Sequence, residues 1–149
     1  MEGTVRSIET TAPPEVVFEV AADLASYPEW ASGVKTVEIL EQDEEGRPVR
    51  VHFVVEGWIK RIACDLRYRH DPPHRLEWTA IPGEDIEEMD GYYEFRELEG
   101  GGTEVVYALR VEPAFTIPGF LRRQAEKQVV GTALRQLKRR AERLAETKG

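Results

Sequence analysis

Apolar positions recur along this chain with two different periods. From Thr4 to Thr10 the pattern predicts a first strand, closed by Thr11-Ala12-Pro13-Pro14. Proline is tolerated in a first helical turn, where its missing N–H has no partner to lose, so this run predicts a helix start. Val17, Val20, Ala21 and Leu24 then fall on one helical stripe with Phe18 beside them, while Glu15, Glu19 and Asp23 lie elsewhere. Ser26-Tyr27-Pro28-Glu29-Trp30 predicts a second short helix after a break, because Pro28 disfavours helical geometry at Tyr27.

From Val34 the period becomes two, the mark of half-buried strands. Val37 and Ile39 open the series. Val49, Val51, Phe53 and Val55 then alternate with Arg50, His52 and Glu56, and Ile62, Cys64, Leu66 and Tyr68 alternate with Ala63, Asp65, Arg67 and Arg69. Further sets are Leu76, Trp78 and Ala80; Met89, Gly91, Tyr93 and Phe95; and Val105, Tyr107, Leu109 and Val111. The links are short and rich in turn formers: Asp43 to Pro48, Asp71-Pro72-Pro73-His74, Ile81-Pro82-Gly83 and Glu99 to Gly102. Such links join antiparallel neighbours, so six strands form a meander.

Gly119 to Thr147 contains no proline and predicts one long helix. Leu121, Ala125, Val129, Ala133, Leu137, Ala141 and Leu144 form its apolar stripe, widened by Val130 and Leu134. Gly131 interrupts it at a cost of about 1 kcal/mol relative to alanine, unless backbone passes close by. No segment has the length or composition of an interdomain linker, so residues 1–149 are expected to be one α+β domain.

Charge changes this picture in one respect. The net charge of −8 argues against a general DNA or RNA binder, whose affinity comes from neutralised phosphates. Yet from Leu121 onward nine Lys or Arg face three Asp or Glu, a local +6 against −14 for the rest. No apolar run reaches the ~18 residues of a membrane helix, and Met1-Glu2-Gly3-Thr4 lacks a signal-peptide pattern, which together predict a cytoplasmic protein. A single cysteine, Cys64, rules out an intramolecular disulfide or a cysteine-based zinc site and reads as a small buried residue.

Two strings carry a family resemblance. Ala12-Pro13-Pro14-Glu15-Val16-Val17-Phe18, followed by Ala22 to Trp30, resembles the opening of the START-like (SRPBCC) superfamily, which includes polyketide cyclases, lipid-transfer domains and coenzyme Q-binding proteins. Pro118-Gly119-Phe120-Leu121, with Ala125-Glu126-Lys127 and Leu134 to Lys138, resembles the closing helix of the cyclase and coenzyme Q-binding branches. The resemblance implies a helix-grip fold: a seven-stranded curved antiparallel sheet wrapped around the C-terminal helix, with two short helices after the first strand. It also implies a space between sheet and helix that holds a hydrophobic small molecule.

If the sheet curls around that helix, alternation puts Val51, Phe53, Val55, Ile62, Leu66, Trp78, Met89, Tyr93, Phe95, Val105, Tyr107 and Leu109 on the inner wall. Periodicity alone fits a solid core as well as a pocket. With the resemblance, the candidate ligand-binding residues are Phe53, Val55, Leu66, Tyr68, Trp78, Met89, Tyr93, Phe95, Tyr107, Leu109, Val130 and Leu134. Polar anchors would be the hydroxyls of Tyr68, Tyr93 and Tyr107 and the indoles of Trp58 and Trp78.

The expected function is binding or transport of a lipid, quinone or polyketide-like molecule, with no cofactor and no metal. His52 falls on an outward face, and His70 and His74 flank a proline turn that precludes a helical ligand pair, so no catalytic residue is assigned. A polyketide cyclase or aromatase is the alternative; it would need hydroxyl or ionisable groups converging in the pocket, with Arg61 and Arg110 as candidates only if the strand faces are exchanged. A further alternative uses the basic face of the last helix, including Arg122, Arg135, Arg139 and Arg140, against a membrane or ribosome. Its simpler reading is a solvated face offset by Glu126, Glu142 and Glu146. The acidic segment Glu84 to Asp90 offers that face a partner. Oligomeric state, monomer or dimer, is left open.

Overall fold

The computed structural model describes residues 3–57 and 60–148. Strand β1 (Thr4–Thr10) leads into α1 (Pro14–Ala22), a 3-10 turn (Leu24–Ser26) and α2 (Tyr27–Trp30). Strands β2 (Val34–Gln42), β3 (Pro48–Glu56), β4 (Arg61–Asp71), β5 (Arg75–Ile81), β6 (Ile86–Glu97) and β7 (Thr103–Pro113) follow, then α3 (Gly119–Lys148). The sheet order is β1-β7-β6-β5-β4-β3-β2, antiparallel throughout. The meander therefore runs as expected, and its last strand returns to pair with the first.

Short turns set the registers. Gly46 and Gly101 take φ of +84° and +92° at the β2–β3 and β6–β7 tips, a conformation that glycine adopts without steric cost. Register shifts in the β2–β3 and β6–β7 pairs mark irregularities of the kind that bend a sheet. One face carries α3, which packs on β1, β7 and α1. The core between them joins Val17, Phe18 and Leu24 to the inward residues of β3 through β7 and to Val130, Leu134, Leu137 and Ala141 of α3.

Three details depart from the sequence reading. Tyr27 is helical, at φ −52° and ψ −40°; the chain breaks earlier, at Asp23, whose ψ is 73°. Pro28 then occupies the first turn of α2, the place where it costs least. On α3, Val129 is 49% exposed, whereas Glu126, read as part of a solvated face, is only 6% exposed. Gly131 has no backbone pressed against it: an added Cβ would meet the flexible end of Arg135 at 3.3 Å. Its propensity cost is simply carried.

The burial of Glu126 has a local cause. Among the described residues, the pairing of β1 with β7 runs from Thr10 opposite Thr103 to Thr4 opposite Leu109, and β7 continues to Pro113. Glu126 Oε2 accepts the Val111 N–H at 3.0 Å, and Oε1 accepts the Thr4 hydroxyl at 3.0 Å. One carboxylate thus completes the sheet edge and ties α3 to it. Toward the other end of α3, Glu142 accepts the Thr10 hydroxyl at 2.7 Å and pairs with Lys138. These contacts with Lys138 and Thr10 hold the Glu142 carboxyl below its usual range.

Candidate ligand-binding site

Side-chain alternation brings nearly all the predicted wall to one place. Phe53, Leu66, Tyr68, Trp78, Tyr93, Phe95, Tyr107, Leu109, Val130 and Leu134 are buried in a single cluster, and Val55 and Met89 pack against it half-buried. Trp58 lies outside the described residues. The aromatic rings form a continuous series: Tyr27 to Phe53 at 6.2 Å between ring centroids, Phe53 to Tyr68 at 6.3 Å, Tyr68 to Trp78 at 5.8 Å. Trp78 then meets Tyr93 at 5.5 Å and Tyr107 at 5.6 Å, and these two tyrosines approach to 4.4 Å.

Trp78 has its position because its cross-strand partner is Gly91. The indole lies so close over that glycine that a Cβ there would sit 2.3 Å from the ring. A side chain at position 91 would displace the indole.

The tyrosines differ in how they are satisfied. Tyr27 donates its hydroxyl to Ala21 O at 2.5 Å. Among the described residues, the hydroxyls of Tyr68, Tyr93 and Tyr107 have no such partner. Burial pushes the pKa of all four well above the ordinary tyrosine value, so each stays neutral and able to donate. Cys64, also desolvated, is pushed up to about 11 and is unreactive as a thiolate near neutral pH.

The charged candidates lie elsewhere. Arg61 is exposed and bonded to Glu56, Arg110 pairs with Asp90, and His52 faces outward with Nδ1 2.6 Å from Asp65. His74 is exposed at its turn. Asp85 accepts from Lys60 and from the Ala63 N–H, and Arg140 pairs with Glu29, so the acidic loop does not meet the basic helix through these two. Among the described residues no three His, Cys, Asp or Glu side chains come together as metal ligands. No described helix is long and apolar enough to cross a membrane.

Sequence reasoning missed two interior polar groups, Glu126 and His70. For His70 the signal existed: the period of Ile62, Cys64, Leu66 and Tyr68 continues to it. The surface carries a groove of about 560 Å³ between α1, α2, the β2–β3 hairpin and the end of α3, lined by Val16, Val20, Trp30, Arg47, Pro48, Arg140 and Leu144 among others. Its Trp30 wall abuts Tyr27 at 5.0 Å, the first ring of the aromatic series. Neither the groove nor the part of α2 that builds it was anticipated as a site.

Solved structures with this architecture include a START superfamily protein from Mycobacterium smegmatis, at 19% identity over 95% of this chain and 98% of that one, TM-score 0.87. The Zhui aromatase/cyclase from Streptomyces sp. R1128 matches at 18% identity over 95% and 94%, TM-score 0.82. A protein of Thermus thermophilus matches at 24% identity over 97% and 99%, TM-score 0.81. At these identities the likeness establishes the helix-grip fold and nothing finer. No curated protein matches the chain. The family model described as polyketide cyclase / dehydrase and lipid transport matches residues 10–138, and the chain belongs to that family.

Proposed function

We propose that this protein binds or carries an apolar small molecule, of lipid, quinone or polyketide type, between the inner face of its sheet and α3. The observation that carries this reading is the aromatic interior itself, in which the rings of Tyr68, Tyr93 and Tyr107 are buried around Trp78 and no hydrogen bond engages their hydroxyls among the described residues. An apolar lining with a few polar anchors is the usual composition of a small-molecule site. Neutral donors of this kind suit a ligand carbonyl. The family description, which names both cyclisation and lipid transport, is consistent with such cargo.

Native mass spectrometry of freshly purified protein, followed by organic extraction, tests the reading. A co-purifying lipid, quinone or polyketide supports it. If the protein is apo and neither long-chain lipids nor quinones bind at micromolar concentration, the interior is only a core and the reading fails.

The approach of Tyr93 to Tyr107 favours a second reading, in which the pair polarises a carbonyl and promotes cyclisation or dehydration of a polyketide. Under it, Tyr107→Phe lowers turnover of a poly-β-ketone substrate while leaving its binding largely intact. Equal turnover by the variant would remove the tyrosines from any chemistry.

A further inference from the structure

At the end of β4 the inward period delivers His70 to the interior side of the sheet. Its Nε2 lies 2.6 Å from the carbonyl oxygen of Pro48. A carbonyl can only accept, so Nε2 carries the proton, and in the neutral ring Nδ1 keeps its lone pair. That Nδ1 atom is shut off from solvent and has no hydrogen-bond partner among the described residues. The ring is fixed on both sides, edge to face with Phe18 at 6.4 Å and beside Tyr68 at 6.4 Å. It is therefore a fixed acceptor with nothing to accept, adjoining the aromatic series.

Its position is equally specific. Pro48, which holds Nε2, also lines the 560 Å³ groove, and Trp30 on that groove's wall leads through Tyr27 and Phe53 to Tyr68. Of the three tyrosine donors, Tyr68 lies beside His70, and Tyr93 is reached from His70 through Phe18 and Phe95 and stands against Tyr107. The interior thus sets one acceptor beside a run of donors.

We propose that His70 Nδ1 accepts a hydrogen bond from a hydroxyl of the bound molecule, so that the site selects hydroxylated aromatic or polyketide-like ligands, phenols or enols, over apolar molecules without a donor. This rests on the reading that the interior binds a small molecule, and assigns which class it takes.

The test uses the full chain labelled with 15N histidine and two probes of nearly equal size, 1-naphthol and its methyl ether, 1-methoxynaphthalene. Side-chain NMR is expected to show His70 as the Nε2–H form, with the Nδ1 resonance moved by 1-naphthol and not by the ether. Tryptophan fluorescence titration is expected to give roughly tenfold tighter binding of 1-naphthol, a preference that falls to about onefold in His70→Phe while the ether binds as before. A preference that survives in His70→Phe, or an Nδ1 resonance that stays fixed while both probes saturate the protein, overturns the role of His70 and leaves the binding reading standing. If neither probe binds at millimolar concentration, both fall. The NMR measurement needs no variant, so a misfolded His70→Phe does not shield the proposal.

Discussion

Along β4, β5 and β6 successive residues point to opposite sides of one sheet, and the two sides are held by different forces. On the outer side a chain of ion pairs crosses the strands, from Arg69 to Glu77, Arg75, Glu94, Arg96 and Glu104, with the Arg75 guanidinium 3.9 Å over the Tyr92 ring. On the inner side the same strands present Leu66, Tyr68, Leu76, Trp78, Tyr93 and Phe95, all buried. Outer charges remain hydrated, and hydrated pairs stabilise weakly. Inner side chains leave water altogether, so each contributes in proportion to its apolar area. The sheet is thus held from one side, and that is also the side where a ligand would gain binding energy.

The largest test of this asymmetry is Leu76→Ala. Leu76 is fully buried, and removing a buried leucine side chain from a packed interior costs about 2–5 kcal/mol. A denaturant melt is expected to show the midpoint falling with little change in slope. A loss below about 1 kcal/mol would mean that the interior collapses freely around the gap, which contradicts a fixed aromatic series.

Next in size is Glu126, a charged residue on the buried side. Glu126→Ala leaves the Val111 N–H and the Thr4 hydroxyl without their acceptor, at a cost of about 1–3 kcal/mol for the unsatisfied groups. Glu126→Gln keeps an acceptor for Val111 and is expected to cost less. Urea titration of both variants separates the two cases. Equal losses would show that the charge rather than the hydrogen-bonded edge is what matters.

Gly91→Ala comes third, because its effect falls on shape. The new methyl meets the Trp78 indole at 2.3 Å, and relief by moving that ring is expected to cost about 1–3 kcal/mol through overpacking. The Trp78 displacement should also change near-UV circular dichroism. An unchanged spectrum with unchanged stability would place the indole elsewhere.

These residues also mark how far the sequence could be read. Strands were legible because alternation such as Ile62, Cys64, Leu66, Tyr68 needs no knowledge of neighbours. The inner wall followed once the long helix was taken as its cover. Along α3 hydrophobicity and burial part company: Val129 is left outside, while Glu126 is drawn in by the Val111 N–H of β7 and the Thr4 hydroxyl of β1. Such a demand is written in β1 and β7 together and cannot be seen from α3. His70 was legible by period, yet the proline turn that follows masked it. Tyr27 is helical because Pro28 serves as the first turn of α2 rather than as a break, a choice the local sequence does not reveal.

The smallest effect is expected on the outer face. Arg75→Met keeps an unbranched stem over Tyr92 and removes the charge that pairs with Glu77 and Glu94. Arg75 and its two partners are each about a third exposed, so the loss should be on the order of 0.2–1 kcal/mol at low salt. In 1 M NaCl, where screening acts within about 3 Å, the difference from the parent chain should shrink further. Paired denaturant melts at low and high salt measure both quantities. A salt-independent loss above about 2 kcal/mol would mean that the outer network is desolvated like a core. The two faces would then differ in chemistry but not in what they contribute to stability.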